Sequence, residues 1–306
     1  MTEAVTREWT DEDLARSLDG DFTSAHAEVN GVRLHYVEGG SGAPLVLLGG
    51  WPQTWWQFHK IMPALARRFR VIAVDLRGMG GSAKPPAGYD KKTMAEDIHA
   101  LLRHFGHDSA YVAGHDIGAM VAHALAANHP EAVRKLVLLD VPHPDEHIRQ
   151  LTLLPAAGSG ADGEGAPGIY LWWFAFNQVK GLPEKLLDGR VGLLQDWLFG
   201  YLLKDPSSID DRSRAVYAAA YSTPDAIRAG NAWYQAFLQD ADDFATYDRL
   251  RTPVLVLAGH FNHAFLTSVM PEHARDVRVE LLADSGHYLA EEQPERVTRE
   301  LTAFFA

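Results

Sequence analysis

The sequence predicts an α/β protein with a mostly parallel central sheet, flanked by helices and interrupted by a helical insertion. Three observations carry this. Short unbroken apolar runs, such as Pro44 to Leu48 and Val133 to Leu139, have the length of strands buried on both faces. Segments with helical spacing of apolar residues separate them, and strand, helix, strand implies a parallel crossover. From Val141 to about Asp248 no strand pattern occurs, after which the earlier rhythm returns at Pro253.

In chain order, Ala25 to Val29 and Val32 to Tyr36 alternate around Asn30-Gly31, a strong hairpin signal, so an antiparallel pair opens the sheet. Pro44 to Leu48 is the next strand, ending in Gly49-Gly50-Trp51-Pro52; a helix is expected over Thr54 to Arg68 and a strand over Arg70 to Asp75. Met94, Ile98, Leu101, Leu102 and Phe105 mark a helix from Lys91, stopped by Gly106. Ala110 to Ala113 reads as a strand, Ile117 to Asn128 as a helix ended by His129-Pro130, and Val133 to Leu139 as a strand delivering Asp140 at its edge. Helices are expected at Gly168 to Asn177, Pro183 to Leu187, Leu193 to Leu203, Ser208 to Ser222 and Thr223 to Leu238, with a flexible loop over Ala157 to Gly168. Pro253 to Ala258 and Val277 to Leu282 complete the sheet, and Pro294 to Phe305 closes the chain as a helix. The division is therefore core over 1–141, helical cap over 142–248, and core again over 249–306.

Composition narrows the function. The chain has 306 residues, enough for a large core, with ordinary hydrophobic (47%) and charged (22%) content. Twenty-eight basic against 40 acidic side chains leave a net charge of −12, which disfavours nucleic acid and anionic membranes. There is no cysteine, so disulfides, thiolate nucleophiles and cysteine-bound metals are excluded. The charged N-terminus lacks the apolar core of a signal peptide and no apolar run of bilayer length occurs, which points to a cytoplasmic protein. The sequence leaves a homodimer open. No phosphate-cradling glycine motif is present and no cofactor is expected. His143 and His147 have helical metal-ligand spacing, but Pro144 lies between them and no third ligand is evident, so no metal site is expected.

The chemistry centres on Gly114-His115-Asp116-Ile117-Gly118. Two glycines flank Asp116 at the spacing of a sharp strand-to-helix elbow, where bulkier neighbours would collide. Aspartate replaces the usual serine. A carboxylate is ionised at neutral pH and attacks saturated carbon, whereas attack on an ester would give a labile anhydride. Asp116 is thus the candidate nucleophile. His287, just past the last strand, is the candidate base, and Asp140 its orienting acid, because no carboxylate stands in Gly259-His260-Phe261-Asn262-His263. The backbone amides of Trp51 and Ile117 are the candidate oxyanion donors.

GGWP at 49 to 52, DLRGMGGS at 75 to 82, GHDIG at 114 to 118 and SGHYLAEEQPE at 285 to 295 resemble the α/β-hydrolase superfamily, specifically its aspartate-nucleophile branch of epoxide hydrolases and dehalogenases. The resemblance covers nearly the whole chain and implies the α/β-hydrolase fold with an inserted cap. That branch usually has histidine where Gly49 stands, which implies a different support for the oxyanion loop here. Leu171-Trp172-Trp173-Phe174 and Asn231 to Gln235 fall where the branch places its cap ligands. Tyr234 can donate a proton, as a ring-opened alkoxide requires, while an indole can only hydrogen-bond. The resemblance therefore implies an epoxide hydrolase, with Tyr234 and Trp173 at the leaving oxygen and Trp172, Trp51 and Trp233 lining an apolar or aromatic substrate. The paired tryptophans with one tyrosine resemble epoxide hydrolases that tailor polycyclic aromatic polyketides in secondary metabolism. A dehalogenase for a neutral organohalide and a ligand-binding protein on the same fold stay open. An anionic haloacid does not fit, since Ile117 and Met120 stand where the haloacetate enzymes of the branch carry arginine.

Overall fold

The computed structural model describes residues 9–154 and 170–306, so the loop expected over Ala157 to Gly168 lies outside the described residues. Among them, eight strands form one sheet in the order β1-β2-β4-β3-β5-β6-β7-β8. These are β1 (Thr23–Val29), β2 (Val32–Gly39), β3 (Ala43–Leu48), β4 (Phe69–Asp75), β5 (Ala110–His115), β6 (Val133–Leu139), β7 (Val254–Gly259) and β8 (Val277–Leu282). β2 pairs antiparallel with β1 and β4, and the other pairings are parallel. Asn30 and Gly31 turn the hairpin with φ of +47° and +72°, the backbone that a two-residue turn matched to strand twist demands. Every residue of β7 is buried, as are the last four of β3 to β6, which explains their unbroken apolar runs.

The helices are α1 (Asp11–Arg16), α2 (Met62–Leu65), α3 (Lys91–His104), α4 (Ile117–Asn128), α5 (Trp172–Gln178), α6 (Leu182–Leu187), α7 (Val191–Leu202), α8 (Asp211–Ala220), α9 (Pro224–Gln235), α10 (Phe237–Phe244), α11 (His263–His273), α12 (Leu289–Glu292) and α13 (Pro294–Phe305). Helices α5 to α10 lie between β6 and β7, and no strand occurs among the described residues from 140 to 248.

Three departures have local causes. The helix expected over Thr54 to Arg68 is a single 3-10 turn, Trp55–Phe58, followed by the short α2. Tertiary bonds break it: the Trp55 amide donates to Asp75 Oδ1 (2.9 Å) and its indole to Asp11 Oδ1 (3.0 Å), holding the chain off a continuous helical path. The helix expected over Thr223 to Leu238 ends at Gln235, and α10 begins anew after Ala236. Helix α11, which follows β7, carries no strong periodic signal and is an addition to the expected elements.

The chain runs from β3 to β4 on one side and to β5 on the other, so the strand order reverses at β3. Ligands bind outside the carboxyl ends of the strands at such a point.

Candidate active site

Asp116 stands between β5 and α4 with φ +50° and ψ −121°, a conformation rare for a side chain other than glycine. The turn is closed by contact: a Cβ on Gly114 would strike the Gly118 carbonyl, one on Gly118 the Leu48 carbonyl, and one on Gly50 Asp116 itself. The two motif glycines are thus required by backbone approach.

The Asp116 carboxylate is held by backbone amides. Trp51 N–H donates to Oδ1 at 2.9 Å and the Ile117 N–H adds a second bond to the carboxylate, which are the two donors expected from the sequence. Oδ2 lies 3.7 Å from His287 Nε2. On its other side, His287 Nδ1 donates to Asp140 Oδ2 at 2.7 Å. Asp140 is itself fixed, accepting from the Gly259 amide at Oδ1 (2.7 Å) and from Asn262 Nδ2 at Oδ2 (2.8 Å). Asn262 comes from the very loop that offers no carboxylate; its role is legible only once Asp140 is known to sit beside it.

Burial drives the electrostatics. It raises the Asp116 carboxyl above the ordinary carboxylate range, opposed by His287 and the two amides. For His287 burial alone would lower the pKa, but the bond to Asp140 and the charges of Asp140 and Asp116 prevail and raise it.

Second contacts hold the two loops. Glu292 Oε1 accepts from the amides of Gly286 (2.9 Å) and Tyr288 (3.3 Å), on either side of His287, and the His287 amide donates to the Leu202 carbonyl (2.9 Å). The place a side chain on Gly49 would take is filled by Gln57, whose Oε1 lies 2.7 Å from His115 Nδ1; His115 Nε2 lies 2.9 Å from the His287 carbonyl. This is the different loop support that glycine at 49 implies.

A cavity of about 150 Å³ opens in front of Asp116, with Trp51, Trp173, Phe174, Tyr234 and His287 among its lining. Tyr234 is 2% exposed. Its hydroxyl oxygen accepts a hydrogen bond from the Trp173 indole N–H, and burial followed by the nearby Asp116 charge raises its pKa well above the ordinary phenol value. It stays a donor at any working pH. Its ring packs edge-on against Trp51 (5.4 Å) and Phe174 (5.1 Å).

Two residues expected to line the site stand outside this cavity. Trp233 is fully buried behind the wall, donating its indole N–H to the Arg77 carbonyl at 3.1 Å, and is not among the lining residues. Trp172 turns away to pack on Trp197 at 5.2 Å. His143 and His147 both line the cavity; His143 Nδ1 donates to the Pro144 carbonyl (2.8 Å) and His147 Nδ1 lies 3.0 Å from Asp145 Oδ1.

An eight-stranded α/β sheet with a carboxylate at the strand-to-helix elbow, a histidine beside it and a second carboxylate behind defines a hydrolase of the α/β class. The chain belongs to the alpha/beta hydrolase fold family, whose profile matches residues 43–294. It is 35% identical to the soluble epoxide hydrolase of Corynebacterium sp. (strain C12), over 94% of this chain and 99% of that protein. It is 27% identical to the fluoroacetate dehalogenase of Burkholderia sp., over 93% and 94% of the two chains. The solved structure of the epoxide hydrolase CorEH without ligand superposes with a TM-score of 0.81 at 34% identity, covering 93% of this chain and 99% of that one. No helix among the described residues is long and apolar enough to cross a membrane.

Proposed function

We propose that the protein opens an epoxide to a vicinal diol through a covalent ester on Asp116. The observation that carries this reading is the divided carboxylate: Oδ1 bonded by the Trp51 amide, Oδ2 beside His287 and the cavity. Oδ2 attacks an epoxide carbon, the carbon–oxygen bond breaks, and the departing oxygen takes the Tyr234 proton while Trp173 donates a hydrogen bond. His287 then removes a proton from water, which adds to the Asp116 carboxyl carbon. The charge that develops on Oδ1 falls on the Trp51 and Ile117 amides, and collapse releases the diol, with His287 returning its proton to the leaving oxygen; Asp116, left as a carboxylic acid by the hydroxyl it gained from water, gives up that proton to the Tyr234 phenolate and both groups are restored. Asp140 holds the His287 ring in the tautomer that leaves Nε2 free for water. In this reading 142–248 is a cap domain roofing a core of 1–141 and 249–306, and the aromatic lining selects an apolar or aromatic substrate.

The identities with epoxide hydrolases support the reading. The dehalogenase relative supports a second, release of halide from a neutral organohalide, which shares the ester intermediate. The test is intact-protein mass after mixing a His287→Gln variant with aryl epoxides and neutral organohalides. An adduct of whole-epoxide mass on Asp116 is expected; an adduct lacking halogen, with none from epoxides, would favour the second reading.

A further inference from the structure

Glu291, in α12, is a second buried carboxylate, 3% exposed and not among the residues lining the cavity. Three parts of the chain converge on it. From α8, the Tyr217 hydroxyl donates to Oε1 at 2.5 Å; from the loop after β3, Gln53 Nε2 reaches the same oxygen at 3.4 Å. Before α2, Lys60 Nζ stands 3.1 Å from Oε2 and donates to the Glu291 carbonyl at 2.9 Å.

Of these partners Gln53 belongs to the loop that presents the Trp51 amide, and Glu291 itself stands in α12, directly after the loop that presents His287. Gln53 lies two residues past Trp51 and closes its turn with an amide bond to the Gly50 carbonyl (3.0 Å). The Gln53 carbonyl accepts from Tyr221 (2.8 Å), and Gln195 Nε2 joins the carbonyls of Pro52 (3.0 Å) and Tyr217 (3.1 Å). On the other side the Glu291 amide bonds the Tyr288 carbonyl (2.9 Å), next to His287. The side chain therefore links the loop presenting the Trp51 amide to the loop presenting His287, and both to α8.

We propose that Glu291 is a positioning residue for hydrolysis of the ester, holding the Trp51 amide and the His287 ring in register across the Asp116 carboxyl carbon. The inference rests on the aspartyl-ester reading but not on the choice between epoxide and halide. Ester formation uses Asp116 Oδ2, Tyr234 and Trp173, none of which Glu291 touches. Hydrolysis uses the amide and the imidazole together. Burial pushes the Glu291 carboxyl up to about 7, with Lys60 and Tyr217 opposing and Asp210 adding to the rise, so its partners decide how much of it is ionised at neutral pH.

The test separates the two half-reactions by rapid mixing, quench and intact mass, using styrene oxide and 1-bromobutane on wild type, Glu291→Gln and Tyr217→Phe. Glu291→Gln is expected to form the adduct at the wild-type rate and clear it about tenfold or more slowly, with kcat and KM falling together. Tyr217→Phe, which keeps the carboxylate and its lysine, is expected to slow the same half-reaction by less, and it carries the test if the first variant fails to fold. Clearance at the wild-type rate, or equal slowing of both halves, overturns the inference alone. No adduct on wild type from either probe overturns the ester reading and the inference with it.

Discussion

Replacing Tyr234 by phenylalanine separates the two chemistries that the fold can support. The ring is held by Trp51, Phe174 and Phe237 at centroid distances of 5.4, 5.1 and 5.0 Å, contacts that phenylalanine keeps, so the fold and cavity are expected to survive. What is lost is one O–H donor, kept protonated by burial. Deleting a donor to a developing oxyanion costs about 10² to 10³ in rate. Trp173 remains as a second donor, which places the loss near the lower limit, about 10²-fold in ester formation from an epoxide. A departing halide needs no proton, and loss of one ordinary hydrogen bond, roughly 1 kcal/mol, gives less than about tenfold. The assay is single-turnover formation of the Asp116 adduct, followed by quench and peptide mass. Formation from an aryl epoxide at the wild-type rate would refute the assignment of Tyr234 as proton donor.

Three further expectations follow from the geometry. Asp140→Asn keeps the size of the side chain but offers an amide N–H where His287 Nδ1 now donates, inverting the imidazole tautomer; ester clearance should fall on the order of 10⁴-fold while ester formation persists, and normal clearance would remove Asp140 from the triad. Trp173→Phe should slow adduct formation by about tenfold or more through its lost indole donor, whereas Trp172→Phe, packed on Trp197 away from the cavity, should change it less than about threefold in the same assay. Acid should unfold the protein partly through buried neutral histidines. Burial lowers His143 to about 3, below its unfolded value of 6.5, so its contribution is complete above pH 6.5 and is lost as pH falls toward 3; by pH 4.5 the loss is about 3 kcal/mol. His143→Phe should flatten the fall in urea-unfolding free energy between pH 6.5 and 4.5 relative to wild type, and an unchanged slope would show that His143 is protonated in the folded state.

Much of the core was legible because its signals are local. A strand buried on both faces must be apolar throughout, so Leu45 to Leu48 and Leu136 to Leu139 read directly as strands. The elbow read equally well, since Gly114 and Gly118 are demanded by contacts their own absent side chains would make. Elements fixed by distant partners did not read. Trp55 leaves a helical path because Asp75 and Asp11 claim its two N–H groups, and nothing near Trp55 in the sequence announces them. Asn262 and Glu291 likewise acquire their partners from segments far along the chain, Asp140 and Tyr217.

The paired tryptophans show where a motif stops informing. Trp172 and Trp173 are adjacent on α5 and point about 100° apart, and it is Trp173, with its other neighbour Phe174, that lines the cavity. Sequence alone cannot set the phase, because both rings find aromatic company: Trp173 beside Phe174 and Tyr201, Trp172 on Trp197 and Phe176. The phase is set by α9, which packs against α5 and presents Tyr234 toward Asp116. Tyr234 lines the cavity, while the indole of its neighbour Trp233 reaches the Arg77 carbonyl in the core. The two helices thus sort both pairs: Tyr234 and Trp173 line the cavity beside Asp116, while Trp233 is tied to the Arg77 carbonyl and Trp172 packs on Trp197.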